Sequence, residues 1–121
     1  MIRFADVLLM YAEALNGQGQ TGAAYPFVDR VRERAGLRKL SGARPGLTQA
    51  QFLEQLKHER VTELSGEAWR YADLSRWGDL SNALQTRDPE FKNFVKGKHE
   101  WYPIPRADID LNPNLTQNPL Y

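Results

Sequence analysis

The stretch from Glu59 to Gly78 constrains this chain most, because two Trp, three Arg and four carboxylates alternate through it at three- and four-residue steps. On a helix such steps place unlike charges on neighbouring turns. Three-residue steps also drift around the helix, so Glu67, Arg70, Asp73 and Arg76 cannot all face solvent while Trp69 and Trp77 are covered. The spacing predicts a partly buried ion network of Arg60, Glu63, Glu67, Arg70, Asp73 and Arg76. On this reading Arg70→Ala strands buried carboxylates at a cost of about 3 kcal/mol or more, whereas Arg87→Ala is an ordinary surface change.

The remaining periodicity is helical too. Phe4, Leu8, Tyr11, Ala12 and Leu15, widened by Val7 and Leu9, recur as one face of a helix over about 3–17, with Asn16-Gly17 as its left-handed stop. A second helix over about 22–36 carries Ala24, Phe27, Val28, Val31 and Ala35 as its stripe and closes at Gly36. Pro26 suits the first turn only, so a start as early as Thr21 would force a bend. Thr48, with Gln51 three residues on, opens a third helix over about 48–64 through a capping box, and Leu53, Leu56, Arg60, Val61 and Leu64 face inward. Ser65-Gly66 breaks the chain before a fourth helix over about 67–83, with Trp69, Ala72, Trp77 and Leu80 inward.

From residue 85 to 121 the periodicity gives way to Asp88-Pro89, Gly97, Pro103, Pro105, Asn112-Pro113 and Asn118-Pro119. Phe91, Phe94, Trp101, Tyr102, Ile104 and Ile109 are among the apolar residues that make this an ordered coil rather than a disordered tail, with a helical turn at Arg106 to Ile109. The fold class is all-α: two helical hairpins with a long coil tail packed over them. At 121 residues this reads as a single domain, 1–121, with one core.

Charge and cysteine content narrow the chemistry. Sixteen basic against fifteen acidic residues leave a net charge of +1, which provides no whole-molecule field for a polyanion. The basic run Arg30, Arg32, Arg34, Arg38, Lys39 and Arg44 lacks interleaved aromatics and is followed by an acidic excess, so it reads as intramolecular pairing and not as a nucleic-acid surface. With no cysteine, disulfides, thiolate metal sites and a cysteine nucleophile are excluded. The amino-terminal residues Met1 to Asp6 show neither a cleavable leader nor a membrane span, so the chain as written is expected to stay where it is made.

The first hairpin, with Ala-Glu-Ala-Leu on one helix and Ala24 on the next, resembles one tetratricopeptide unit, and a lone unit needs further helices to close its core. A broader resemblance runs through nearly the whole chain. Arg3-Phe4-Ala5-Asp6-Val7-Leu8-Leu9-Met10-Tyr11-Ala12-Glu13-Ala14-Leu15-Asn16 and Val31-Arg32-Glu33-Arg34-Ala35-Gly36-Leu37 resemble the carboxy-terminal region of the SusD/RagB family. Glu59-Arg60, Glu63-Leu64, Glu67, Arg70 and Asp73-Leu74-Ser75-Arg76-Trp77-Gly78 are similar to its central signature. Tyr102-Pro103-Ile104-Pro105, Asn112-Pro113, Gln117-Asn118-Pro119 and Tyr121 are similar to its closing one. Differences from the pattern are Asp29 for the usual Asn, Ser65 for an aromatic, Ala68 for a frequent Gly, Tyr71 for Trp or Phe, and Leu120 for the Gly before the final Tyr; a turn needing a positive φ would resist this last change.

The resemblance implies a surface-exposed lipoprotein of the bacterial outer membrane, of the kind found in Bacteroidetes. Such proteins capture poly- or oligosaccharides, or peptides, and pass them to a TonB-dependent outer membrane transporter over which they close. It also implies that this chain belongs to a protein several times longer that opens with a lipidated cysteine, and that this region is a non-catalytic scaffold and docking surface. Apolar surface that other parts of such a protein would cover favours self-association of the chain alone. A small helical interaction module with a peptide groove is the alternative.

Glu59, Glu63 and Glu67, one turn apart, have the spacing of an acid and base pair, but the nearby arginines should keep them ionised, which disfavours a glycosidase. His58 and His99 lack the spacing of metal ligands, and no cofactor is implied. Trp69 and Trp77 read as core. Trp101 and Tyr102 lie in a loop where a ring can stack on a sugar, although Tyr-Pro-Ile-Pro reads first as a buried stapling segment.

Overall fold

The computed structural model of the chain describes residues 2–85 and 89–121, so Asp88 and the comparison residue Arg87 lie outside the described residues. Among the described residues all regular structure is helical: α1 Phe4–Gly17, α2 Thr21–Arg34, α3 Leu40–Ala43, α4 Gln49–Glu63, α5 Arg70–Arg76, α6 Leu80–Gln85, a 3-10 turn Pro89–Asn93 and α7 Arg106–Leu111. Where the sequence reads as one domain, the chain groups into two compact units, Met1–Trp69 and Arg70–Tyr121.

In the first unit α1 packs on α2 and on α4, and α2 on α3 and α4. Leu8, Leu9, Ala12, Ala24, Val28, Val31, Leu40, Phe52 and Leu56 form a continuous buried cluster. Tyr25 closes one side of it: its ring meets Phe52 edge-on at 5.0 Å, while its hydroxyl donates to Arg44 O at 2.9 Å and accepts from Leu47 N–H at 3.0 Å. The loop over 44–47 is thereby held without a regular element of its own. Asp29, buried where the related pattern carries Asn, accepts from Ser41 N–H at 3.1 Å and Ser41 Oγ–H at 2.6 Å, tying α2 to α3.

The buried face of α1 differs from the expected one. Ala5, Leu8, Leu9, Ala12 and Asn16 point inward, whereas Phe4, Val7 and Tyr11 are 62%, 43% and 52% exposed. Two stripes overlap on this helix, and the one carrying alanines allows the closer helix approach. The stop of α1 also moves. Gly17 belongs to the helix, and the left-handed residue is Gly19 at φ +76, where Gln20 N–H reaches Leu15 O and Gly19 N–H reaches Asn16 O. α2 starts at Thr21, so Pro26 lies inside it and cannot donate to the carbonyl of Gly22. Ala35, expected in the α2 stripe, is exposed, as is Val61 of α4. α4 does open with the complete capping box: Thr48 Oγ1 accepts from Gln51 N–H and Gln51 Oε1 from Thr48 N–H.

In the second unit, α5 and α6 replace the single helix expected over 67–83. Asp79 N–H bonds to Leu74 O and Gly78 N–H to Ser75 O, a helix end that requires the left-handed φ of +69 at Gly78. Asp73, Leu74 and Leu80 are buried and Ala72 is exposed, while Trp77, just past the end of α5, is half-buried, as is Trp69 at the end of the first unit; neither tryptophan lies in a helix as expected. The segment 89–121 is coil apart from its two short helical pieces.

Candidate functional site

The charged residues singled out in the sequence divide between the two units. In the first, Arg3, just ahead of α1, reaches the end of α4: Nε donates to Glu67 Oε1 at 2.8 Å, Nη1 to Glu63 Oε1 at 2.9 Å and Nη2 to the Glu63 carbonyl at 2.7 Å. Arg34 Nη2 meets Glu63 Oε2 at 2.7 Å, so Glu63 is bracketed by two guanidinium groups. Arg60 donates to Asp6 of α1 at 2.9 Å, and the two side chains are only 2% and 3% exposed. Glu59, also buried, accepts from Arg32 Nη1 and from Gln55 Nε2. In the second unit Asp73 accepts from Arg76 Nε at 3.0 Å, and the Arg76 guanidinium lies 4.6 Å from the Trp77 ring centre. Arg70 is exposed, against the expectation that it sits inside a buried network.

Sequence spacing missed Arg3, Asp6, Arg32 and Arg34 as partners. The pairs cross from α1 and α2 to α4, over 27 to 64 positions, and i,i+3 or i,i+4 arithmetic cannot find them. A usable signal was Asp6, a carboxylate on the same turn as buried apolar residues.

Chemically, the arrangement favours the charged form of Glu67. The Arg3 hydrogen bond keeps the Glu67 carboxyl below the ordinary carboxylate range, and the same bonds raise the Arg3 guanidinium further into its protonated form. Glu59 and Glu63 on α4, and Glu67 just beyond it, each accept from an arginine.

The basic run is likewise spent internally. Arg32 also donates to Arg38 O, Arg38 to Gly42 O, Arg44 to Gln55 and Lys39 to Glu33, while Arg30 lies 5.2 Å over the Phe4 ring. Its pairing with Glu33 raises the Lys39 ammonium pKa. A cleft of about 600 Å³ opens beside α2, lined in part by Tyr25, Asp29, Arg30, Lys39 and Ser41. Its Asp29 and Lys39 are the groups just described as bonded to Ser41 and Glu33.

His99 Nδ1 accepts from Val95 N–H at 2.8 Å and its ring meets Phe94 edge-on, a role inside its own loop. Among the described residues no cluster of three metal-ligating side chains is present, and no helix is long and apolar enough to cross a membrane.

The loop aromatics stand apart from all of this. Trp101 and Tyr102 are 58% and 81% exposed, so the Tyr-Pro-Ile-Pro segment is not the buried staple that its composition suggests. Its order comes from polar ties. Gln117 accepts from Ile104 N–H and donates to Ile104 O, Asn118 donates to Tyr102 O, and the Tyr121 hydroxyl donates to Trp101 O.

The sequence matches the SusD family over residues 1–121. SusD-like protein P25 of Formosa agariphila is 35% identical over 121 residues, which cover 98% of this chain and 23% of that protein. SusD-like protein P38 of the same organism is 33% identical, covering 100% and 24%. Among solved structures, a SusD homolog from Bacteroides thetaiotaomicron superposes with a TM-score of 0.86 at 35% identity, over 100% of this chain and 26% of that one. A SusD superfamily protein from Bacteroides vulgatus gives 0.83 at 37% identity, over 98% and 26%. The chain thus spans about a quarter of the length of these relatives. Sequence and helical fold agree, and the chain belongs to the SusD family.

Proposed function

We propose that this chain is a non-catalytic, carboxy-terminal scaffold region of a glycan-binding nutrient-uptake lipoprotein at the outer membrane surface, working with a TonB-dependent transporter. The observation that carries the non-catalytic part is the bracketing of Glu63 between Arg3 and Arg34, with Glu67 on Arg3 and Glu59 on Arg32. A glycosidase acid needs a carboxyl kept protonated by an apolar setting, and these carboxylates sit in the opposite environment. The same pairs tie the residue before α1 and the end of α2 to α4, which suits a rigid body.

A specific feature supports docking as the second role. Phe4, Val7 and Tyr11 form an exposed stripe along α1, supported from behind by the Tyr11–Phe27 edge contact at 4.6 Å. In the scaffold reading this stripe meets other polypeptide; in the alternative, a small interaction module, it meets a peptide.

The test compares the chain with the full-length protein on immobilised polysaccharides, and assays both for release of reducing sugar. Glycan binding by the full-length protein without sugar release is the expected result. Sugar release that disappears in Glu63→Gln would overturn the non-catalytic reading.

A further inference from the structure

Asn16-Gly17 is the one Asn-Gly step in the sequence, yet the left-handed turn that such a step favours falls at Gly19 instead. Asn-Gly is also the dipeptide most prone to attack on its own side chain. Glycine has no Cβ to shield its backbone nitrogen, and it leaves the local chain free to turn. The other asparagines are poorer candidates. Asn112 and Asn118 precede prolines, which have no N–H to attack with, and Asn82, Asn93 and Asn114 precede residues that carry a Cβ.

In the folded chain the step is held shut. Asn16 lies in α1 and is 2% exposed, and closing a ring onto the Gly17 nitrogen needs its ψ to leave the helical value. Its side chain is engaged at both ends: Nδ2 donates to the Gln49 carbonyl at 3.0 Å, and Oδ1 accepts from the Thr21 hydroxyl at 2.8 Å. Its own carbonyl accepts from Gln49 Nε2 at 2.6 Å, and the Gly17 carbonyl accepts from the same amide at 3.3 Å. Gln49 is the first residue of α4, so this latch exists only while the start of α4 is docked on the end of α1.

We propose that Asn16 is a deamidation site kept in reserve by the latch. When the latch opens, base removes the Gly17 N–H proton and the nitrogen attacks Asn16 Cγ. The N–Cγ bond forms, the Cγ–Nδ2 bond breaks, and the departing nitrogen takes a proton from water to leave as ammonia. Water then opens the resulting succinimide at either carbonyl, giving aspartate or isoaspartate. Neither product can re-form the latch. Aspartate sets a carboxylate oxygen against the Gln49 carbonyl where Nδ2 had donated, and isoaspartate routes the backbone through Cβ, lengthening the last turn of α1. Conversion is therefore a permanent record that the start of α4 has opened, a local event that need not unfold the rest of the chain.

The test is peptide mapping of the full-length protein by mass spectrometry after incubation at mildly alkaline pH, with isoaspartate counted by enzymatic methylation. Conversion at Asn16 should be at least about tenfold slower in the folded protein than in urea, because it waits on a local opening. Gln49→Ala, which removes both bonds from the Gln49 amide, should speed it about tenfold in the folded protein. Thr21→Val removes only the hydroxyl at Oδ1 and should act in the same direction, which keeps the latch testable if Gln49→Ala does not fold. Gly17→Ala should slow conversion in urea, and the helix accommodates it because no atom lies within 4 Å of the added Cβ. Equal rates in folded and unfolded protein overturn the proposal. So does a folded Thr21→Val or Gln49→Ala protein that converts no faster than wild type, or an Asn114 that converts as fast as Asn16 in urea.

Discussion

The two units reach order by different means. In Met1–Trp69 a continuous aliphatic and aromatic cluster excludes water, and ion pairs between distant helices seal its end. In Arg70–Tyr121 short helices and coil rely on side chains that hydrogen-bond to backbone, as Gln117, Asn118 and Tyr121 do. Burial rewards apolar residues by hiding them, at about 25 cal/mol per Å². Polar ties make no such demand, so the second unit can be ordered and still present bare aromatic rings. Both units display aromatic side chains, Phe4 and Tyr11 in the first and Trp101 and Tyr102 in the second, but the backbone beneath them is held by packing in one and by polar ties in the other.

Breaking the first mode should cost most. Asp6→Ala leaves the Arg60 guanidinium buried without its carboxylate and should lower stability by about 3–5 kcal/mol in urea unfolding. An unchanged midpoint would mean that the pair contributes nothing. The second mode is weaker per contact: Gln117→Ala removes both partners of Ile104 and should cost about 1–2 kcal/mol, with faster exchange of the Ile104 amide proton. If Gln117→Ala proved as costly as Asp6→Ala, the contrast between the units would collapse.

Smaller effects sharpen the comparison. Ala68 and Leu120 hold φ values of +64 and +67, a region that penalises any residue with a Cβ. Glycine adopts this region without the Cβ penalty. Ala68→Gly and Leu120→Gly should each stabilise by about 0.5–1 kcal/mol after the entropic cost of glycine, measured as a rise in melting temperature. A fall in either would contradict the backbone geometry.

The smallest effect is a pH dependence. The folded-state pKa of Glu67 is lowered by its hydrogen bond from Arg3, so its contribution is complete above the unfolded carboxylate value of about 4.3. It is lost as pH falls through the lower folded value. Glu67→Gln should therefore flatten the stability curve on its acid side. Wild-type and variant curves that stay parallel as pH falls below about 4.3 would refute this contribution.

Local rules served where local forces dominate. The capping box at Thr48 and Gln51 placed the start of α4, and apolar periodicity placed α1 and α2 to within two residues. The same periodicity found Leu8, Leu9, Ala12 and Leu15 on the inner side of α1 but also took in Phe4, Val7 and Tyr11, because these recur as regularly and hydrophobicity alone does not register how closely two backbones approach. The break at Gly78 was passed over because Leu80 continues the apolar spacing of Trp69, Ala72 and Trp77 beyond it. The ion partners were least legible, since Asp6 and Arg3 meet residues half a chain away. Trp101 and Tyr102 were singled out by type and location, but the backbone ties that Gln117 and Asn118 make to their segment were not legible, because composition treats these side chains as ordinary coil.

The pairing of Asp6 with Arg60 also sets a timetable. The two are 54 positions apart, and Arg3 waits 60 and 64 positions for Glu63 and Glu67. At a ribosomal pace of about 5–20 residues per second, Asp6 emerges roughly three to ten seconds, and the end of α2 roughly one to five seconds, before α4 can supply its arginine. Closing a loop of that length costs about 3.5 kcal/mol in chain entropy, so the early hairpin must keep Asp6 in water until the clasp arrives. α4 is thus the element whose synthesis converts a provisional hairpin into a committed one, and a nascent chain halted before Arg60 would remain open to chaperones and proteases.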